Sequence, residues 1–166
     1  VNAFGILKNL KEQGKIKHIA ISFHDTADVL DTILTEQPHI EAVQLQINYL
    51  DWEDEKVQSR LCYEVARKHG KDIIVMEPVK GGKLANVPEK VEEIFRQVHP
   101  DWSPASWAVR FTAGLEGVIC VLSGMSDMAQ MKDNVKTFES EKPLTNEEQQ
   151  FLTAIAEGMK KAVPCT

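Results

Sequence analysis

The chain is poor in cysteine, in positive charge and in long apolar runs, and each shortage removes a class of protein. Its three cysteines, Cys62, Cys120 and Cys165, are far apart and odd in number. No disulfide framework is expected from them, and a reducing cytoplasm is the expected compartment. Lys and Arg number 19 against 25 Asp and Glu, for a net charge of -6, and no basic cluster is interleaved with aromatics. A nucleic-acid partner is therefore not expected. No apolar stretch approaches the roughly 18–20 residues of a membrane-spanning helix, so no membrane span is expected. Val1–Gly5 also lacks the basic start and apolar core of a signal peptide. No stretch is rich enough in Gly, Pro or Ser to divide the chain, so 1–166 reads as a single domain.

What is present is an alternation. Four short apolar runs recur, His18–Phe23, Ala42–Ile47, Asp72–Met76 and Gly117–Leu122, each followed by a helical pattern. Val29, Leu30, Ile33 and Leu34 mark the helix after the first run, and Val57, Leu61 and Val65 the helix after the second. Two helices follow the third run. Val91, Ile94, Phe95 and Val98 lie in one, and Ser103-Pro104 opens the other, which Gly114 closes. Thr145 and Glu148 form a capping box for a last helix carrying Phe151, Leu152, Ile155 and Met159. Phe4, Ile6, Leu7 and Leu10 add one helix before the first strand. The fold class is α/β, and strands this continuously apolar belong to a parallel sheet. Periodicity leaves two architectures open, a small doubly wound sheet and part of a (β/α)8 barrel, which needs ~250 residues.

The stretch from Cys120 to Val135 carries the most chemical information. An apolar strand stops at Ser123-Gly124, and Ser126-Asp127 signal the start of a helix that holds Asp133-Asn134 one to two turns in. A helix N-terminus at a strand end aims backbone N–H groups and a positive dipole end at one spot, which suits a phosphate.

The order of side chains here resembles the last strand and helix of the aldo-keto reductases. Gly14-Lys15-Ile16-Lys17-His18-Ile19-Ala20-Ile21-Ser22 is similar to another strand of that family, with Ala20 in place of the usual Gly. Val43-Gln44-Leu45-Gln46-Ile47-Asn48-Tyr49-Leu50 resembles a third, and Val75-Met76-Glu77-Pro78-Val79-Lys80-Gly81-Gly82-Lys83-Leu84 a fourth. The four matches are in order and cover nearly the whole chain. The resemblance implies strands five to eight of a TIM (β/α)8 barrel, that is, a partial barrel. The family transfers hydride between a nicotinamide and a carbonyl or alcohol, with a Tyr as proton donor tuned by Lys and His. Those residues and an Asp lie on the family's first four units, so no catalytic residue is expected in this chain, and Tyr49 and Tyr63 match no catalytic position.

For the cofactor, NAD or NADP, the resemblance implies Ser22 and Gln44 on the carboxamide. Met76 stands where relatives stack an aromatic ring on the nicotinamide. Pro78, Val79, Gly81 and Gly82 pass under the pyrophosphate. Ser123, Gly124, Met125 and Ser126 form the phosphate loop, and Asp133 and Asn134 bond the adenine end. Gly124 and Gln130 replace a Lys and an Arg that suit a 2′-phosphate, which weakens the grounds for NADP. Phe23 stands where many members have Asn. Ser22, His24 and Asp25 are not expected to form a nucleophilic triad, because neighbours at a strand end point in different directions.

Val163-Pro164-Cys165-Thr166 resembles the start of a ferredoxin-like segment by which one branch of the family holds an iron–sulfur cluster, with Cys165 as its first ligand. A cluster takes several thiolates, so none is expected on this chain as given. Cys62 and Cys120 read as small core residues, and the other histidines show no metal-ligand spacing. The function expected is the cofactor-binding half of an oxidoreductase, inactive alone, whose parent takes a small carbonyl substrate. A half barrel leaves strand edges and an apolar face unpaired, so self-association or docking to a missing half is expected. The other reading is a non-catalytic half-barrel module that binds a nucleotide or a partner.

Overall fold

The computed structural model describes residues 2–140 and 143–162. Cys165 with its flanking residues, and residues 141–142, lie outside the described residues. The element order is the one the alternation implies: α1 (Ala3–Glu12), β1 (Ala20–Ser22), α2 (Ala27–Glu36), β2 (Ala42–Gln46), α3 (Ser59–Lys68), β3 (Asp72–Met76), α4 (Glu89–Val98), α5 (Pro104–Ala113), β4 (Val118–Val121), α6 (Met128–Glu139) and α7 (Asn146–Ala162). The helix starts follow the sequence signals closely. Ser103 Oγ accepts the Ser106 N–H at 2.9 Å, with Pro104 in the first turn. Thr145 and Glu148 exchange their backbone N–H groups and side-chain oxygens at 2.7 and 3.2 Å.

All four strands are parallel and lie in the order β1-β2-β3-β4. That order lacks the reversal that defines a doubly wound sheet. Side chains alternate faces along a strand, and Val43, Leu45, Ile73 and Val75 on one face are fully or almost fully buried. They pack with Leu30 and Leu34 of α2 and with Cys62 and Ala66 of α3 in one core. Among the described residues no layer of helices covers the opposite face. Register places Ser22, Gln44, Ile74 and Cys120 in one row there, and Ser22 and Cys120 are exposed.

A second core gathers α4, α5 and α7 around Trp107, which stacks on Phe95 at a centroid distance of 5.1 Å. Trp102 stacks on His99 at 3.8 Å, and the Arg110 guanidinium lies 4.0 Å over the Trp102 ring.

Three expectations change here. Helix α3 buries Ser59, Cys62 and Ala66 rather than Leu61, which is 42% exposed. Small residues let this helix lie close on the sheet, and Ser59 Oγ donates to the Gln46 carbonyl at 2.8 Å. Val29 likewise points outward, and Ala27, Leu30 and Leu34 form the buried stripe of α2. Cys120 is exposed on β4 rather than buried, because its side chain points to the bare face of the sheet. Apolar side chains are also exposed in and after β4: Ile119 and Leu122, and on α6 Met128, Met131, Val135 and Phe138, which fall on one stripe. Among the described residues no helix is long and apolar enough to cross a membrane.

Glu41 ties the amino ends of the strands together. Its carboxylate accepts Lys11 Nζ at 2.6 Å and the Ile19 N–H at 3.0 Å, and contacts His18 Nδ1 at 3.2 Å. The Lys11 hydrogen bond, then the Ile19 N–H and His18, hold its pKa at about 2, well below the ordinary carboxylate value. A carboxyl with a depressed folded-state pKa adds stability above its unfolded value, which is lost as pH falls through the folded one. Chemical denaturation between about pH 4.5 and pH 2 should therefore show a steeper loss of stability in the wild type than in Glu41→Gln, with Glu41→Gln the less stable at neutral pH.

Candidate cofactor cleft at the carboxyl ends of the strands

Chain leaving β3 and β4 turns sharply into polar loops, and the space between those loops is a cavity of about 690 Å³. One wall is Met76, Pro78, Val79, Gly81 and Gly82. The other is Ser123, Gly124, Met125 and Ser126, with Gln130, Asp133 and Asn134 from the first two turns of α6. Of the residues expected to bind the cofactor, Ser22 and Gln44 fall outside this lining. They continue it along the sheet: Gln44 Nε2 lies 3.4 Å from Met76 Sδ and 3.4 Å from Ser22 Oγ.

The first wall is strained. Gly81 and Gly82 have φ of +58° and +88°, and Glu77 and Lys80 have φ of +56° and +49° although neither is glycine. A non-glycine residue in that region costs about 1–3 kcal/mol and persists only where its surroundings hold it. Glu77 folds back so that its Oε2 accepts the Gly81 N–H at 2.6 Å.

The second wall is set by the start of α6, which begins two residues later than Ser126. Asp127 caps it by accepting the Gln130 N–H at 2.8 Å, and Gln130 Oε1 accepts the Ser126 N–H at 2.8 Å. Asn134 Nδ2 donates to Ser123 Oγ at 3.0 Å, joining the strand end to the helix. Ser103 Oγ donates to Asp133 Oδ2 at 2.5 Å, which fixes α6 against the first turn of α5.

Glu77, Ala85, Asn86, Ala105 and Leu122 also line the cavity, and sequence reasoning did not single them out. Asn86 was detectable in principle, as a short amide four residues beyond Gly82, and its Nδ2 donates to the Gly82 carbonyl at 3.1 Å. Ala105 could not have been found, because nothing local marks the first turn of α5 as a neighbour of β4. The lining holds two carboxylates, Glu77 and Asp133, and no Lys or Arg.

A family model of the aldo/keto reductases matches residues 1–157. The chain belongs to the aldo/keto reductase family. Its fold is shared with an aldo-keto reductase of Bacillus halodurans in its holo form, at 24% identity and a TM-score of 0.72, over 91% of this chain and 54% of that one. A putative 2,5-diketo-D-gluconic acid reductase B aligns at 24% identity and a TM-score of 0.71, over 91% and 50% of the two chains. An aldo-keto reductase of Klebsiella pneumoniae in complex with NADPH aligns at 14% identity and a TM-score of 0.68, over 92% and 52%. The chain thus spans about half the length of these relatives. No curated protein matches it.

Neither of the chain's two tyrosines lies at the cleft. Tyr49 is 3% exposed in the second core, and burial pushes its phenol pKa well up. Tyr63 donates its hydroxyl to the Glu116 carbonyl at 2.9 Å, beside the amino end of β4. Ser22 Oγ and His24 Nε2 are 3.4 Å apart, so these two do share a side of the strand end. Asp25 turns away and accepts the Thr26 N–H at 2.7 Å, which leaves no triad. Among the described residues no group of three or more His, Cys, Asp or Glu side chains could hold a metal ion.

The two described cysteines differ in environment. Burial, then the charge of Asp25, pushes the Cys62 thiol up to about 11, while Cys120 is exposed. The thiolate is the reactive form. Brief iodoacetamide treatment near neutral pH, read by site-resolved mass spectrometry, should label Cys120 and spare Cys62.

Proposed function

We propose that this chain is the cofactor-binding half of a nicotinamide-dependent oxidoreductase that interconverts a carbonyl and an alcohol. Its strands correspond in this reading to strands five to eight of a (β/α)8 barrel. The cleft between the β3–α4 and β4–α6 loops carries the proposal. It offers hydroxyls at Ser123 and Ser126, the backbone N–H of Gly81, and side-chain amides at Asn86, Gln130 and Asn134. That donor set fits a pyrophosphate and an adenosine, because neutral donors at loop and helix starts satisfy phosphate oxygens. Glu77 and Gln130 now accept the Gly81 and Ser126 N–H groups. Both are side chains with free rotation, able to hand those donors to a ligand.

When bound, the nicotinamide supplies the hydride. The chain's own residues bind and orient. Gln44 and Ser22 would face the carboxamide, Met76 would pack beside the ring, the Pro78–Gly82 loop and Ser123–Ser126 would hold the phosphates, and Asp133 and Asn134 would take the adenine end. No tyrosine here is placed to hand a proton to a substrate oxygen, so that step falls to the other half of the barrel. The same half covers the exposed row Met128, Met131, Val135 and Phe138 and pairs with the free edges of β1 and β4. Without it the chain self-associates through those surfaces.

The lining favours NAD over NADP. A 2′-phosphate carries nearly two negative charges, and Glu77 and Asp133 face the cleft with no cation opposite. The isolated chain should bind NADH, seen as a change in nicotinamide fluorescence, but show no carbonyl-dependent NADH oxidation. Turnover by this chain alone would overturn the assignment of the proton donor to the other half. Gln130→Arg adds one charge-assisted hydrogen bond, worth about 1.5–3 kcal/mol, and should raise NADPH affinity relative to NADH by at least ~10-fold in the same titration.

A further inference from the structure

The Glu77–Gly82 segment that walls the cleft contains one cation, Lys80, and it does not face the cleft. Lys80 turns its ammonium away, under the loop, onto Asp51 of the β2–α3 connection, at 2.5 and 2.6 Å from the two carboxylate oxygens. Asp51 is 3% exposed. It is also fixed from its own side. Asn48 Nδ2 and Gln46 Nε2 donate to Oδ2 at 3.0 and 3.1 Å, and the Asp51 N–H donates to Asn48 Oδ1 at 2.9 Å. Asn48 is itself fully buried and donates to the Glu77 carbonyl at 3.2 Å. Both ends of the strained segment, Glu77 and Lys80, are thereby tied to the end of β2.

We infer that the Asp51–Lys80 pair is a latch that holds the Glu77–Gly82 loop in its left-handed conformation, and so positions the Gly81 N–H against the pyrophosphate. The geometry supports a positioning role in two ways. Lys80 occupies a backbone region that its own side chain disfavours, at φ +49°, and such residues persist only where surrounding contacts over-determine them. A desolvated carboxylate held by three side chains is also a rigid anchor, because moving Lys80 would leave it uncompensated. Lys80 and Asp51 do not line the cleft, so neither touches the ligand. A sequence scan for phosphate ligands would assign Lys80 to a phosphate; its bidentate contact with Asp51 assigns it to the loop.

This inference rests on the dinucleotide reading above, and the test separates the two. Lys80→Met alone would strand the buried Asp51 charge, so the informative variant is Asp51→Asn with Lys80→Met, which removes both charges together. Lys80→Arg is the rescue control, because a guanidinium also pairs with both oxygens of a carboxylate. Binding of ADP-ribose and of adenosine is measured by calorimetry on the full chain, beside backbone amide hydrogen exchange without ligand. If the loop is competent only about a tenth of the time once unlatched, apparent affinity falls by about tenfold. The double variant should lose about that factor for ADP-ribose, keep its adenosine affinity, and exchange faster across residues 77–84. Lys80→Arg should restore all three values toward wild type. Equal ADP-ribose affinity in wild type and double variant, or unchanged exchange across the loop, overturns the latch. Failure of the wild type to bind ADP-ribose sinks the dinucleotide reading and the positioning role with it.

Discussion

Parallel strands laid side by side in chain order place the rest of this molecule. Each connection from one strand to the next must cross from the carboxyl end of one to the amino end of the other, and a helix makes that crossing. The helices α2 and α3 bury Leu30, Leu34, Cys62 and Ala66 against Val43, Leu45, Ile73 and Val75 on one face. The other face therefore has no helical cover, and Ser22, Gln44, Ile74 and Cys120 form a row across it. The same order brings the loops after β3 and β4 together at one end, where chemistry can be placed without disturbing the core.

Division of labour between the two ends of the strands follows. At the amino ends, Glu41 gathers Lys11, His18 and the Ile19 N–H and closes the structure. At the carboxyl ends, polar groups remain facing a cleft, and backbone strain is concentrated in Glu77, Lys80, Gly81 and Gly82. Strain of that kind needs an external hold, and Asp51 supplies it from the neighbouring connection.

Much of this was legible beforehand, for a local reason. Every strand and helix was announced by periodicity or by a cap, as at Ser103 and Thr145, because backbone hydrogen bonding and helix ends depend on near neighbours. Most of the residues picked out for the cleft did converge on it, from Met76 to Asn134. Legibility failed where a side chain's fate depends on what lies across from it. Leu61 and Cys120 are apolar and periodic, yet exposed, since Leu61 turns from the sheet and Cys120 faces its uncovered side. Asp51 carries no local mark that separates it from Glu53 and Asp54, and its contact with Lys80 does.

The sequence by itself determined the order of elements, the parallel sheet and the family, because those rest on patterns that repeat within a few turns or a few strands. Tertiary structure alone decided which face of the sheet is bare, that Glu77, Asn86 and Ala105 join the cleft, and that Lys80 points under the loop rather than into it. Those outcomes are set by the register of neighbouring strands and by left-handed turns, which bring together residues about 30 positions apart, as in the Lys80–Asp51 pair. No local pattern encodes such a meeting; packing does.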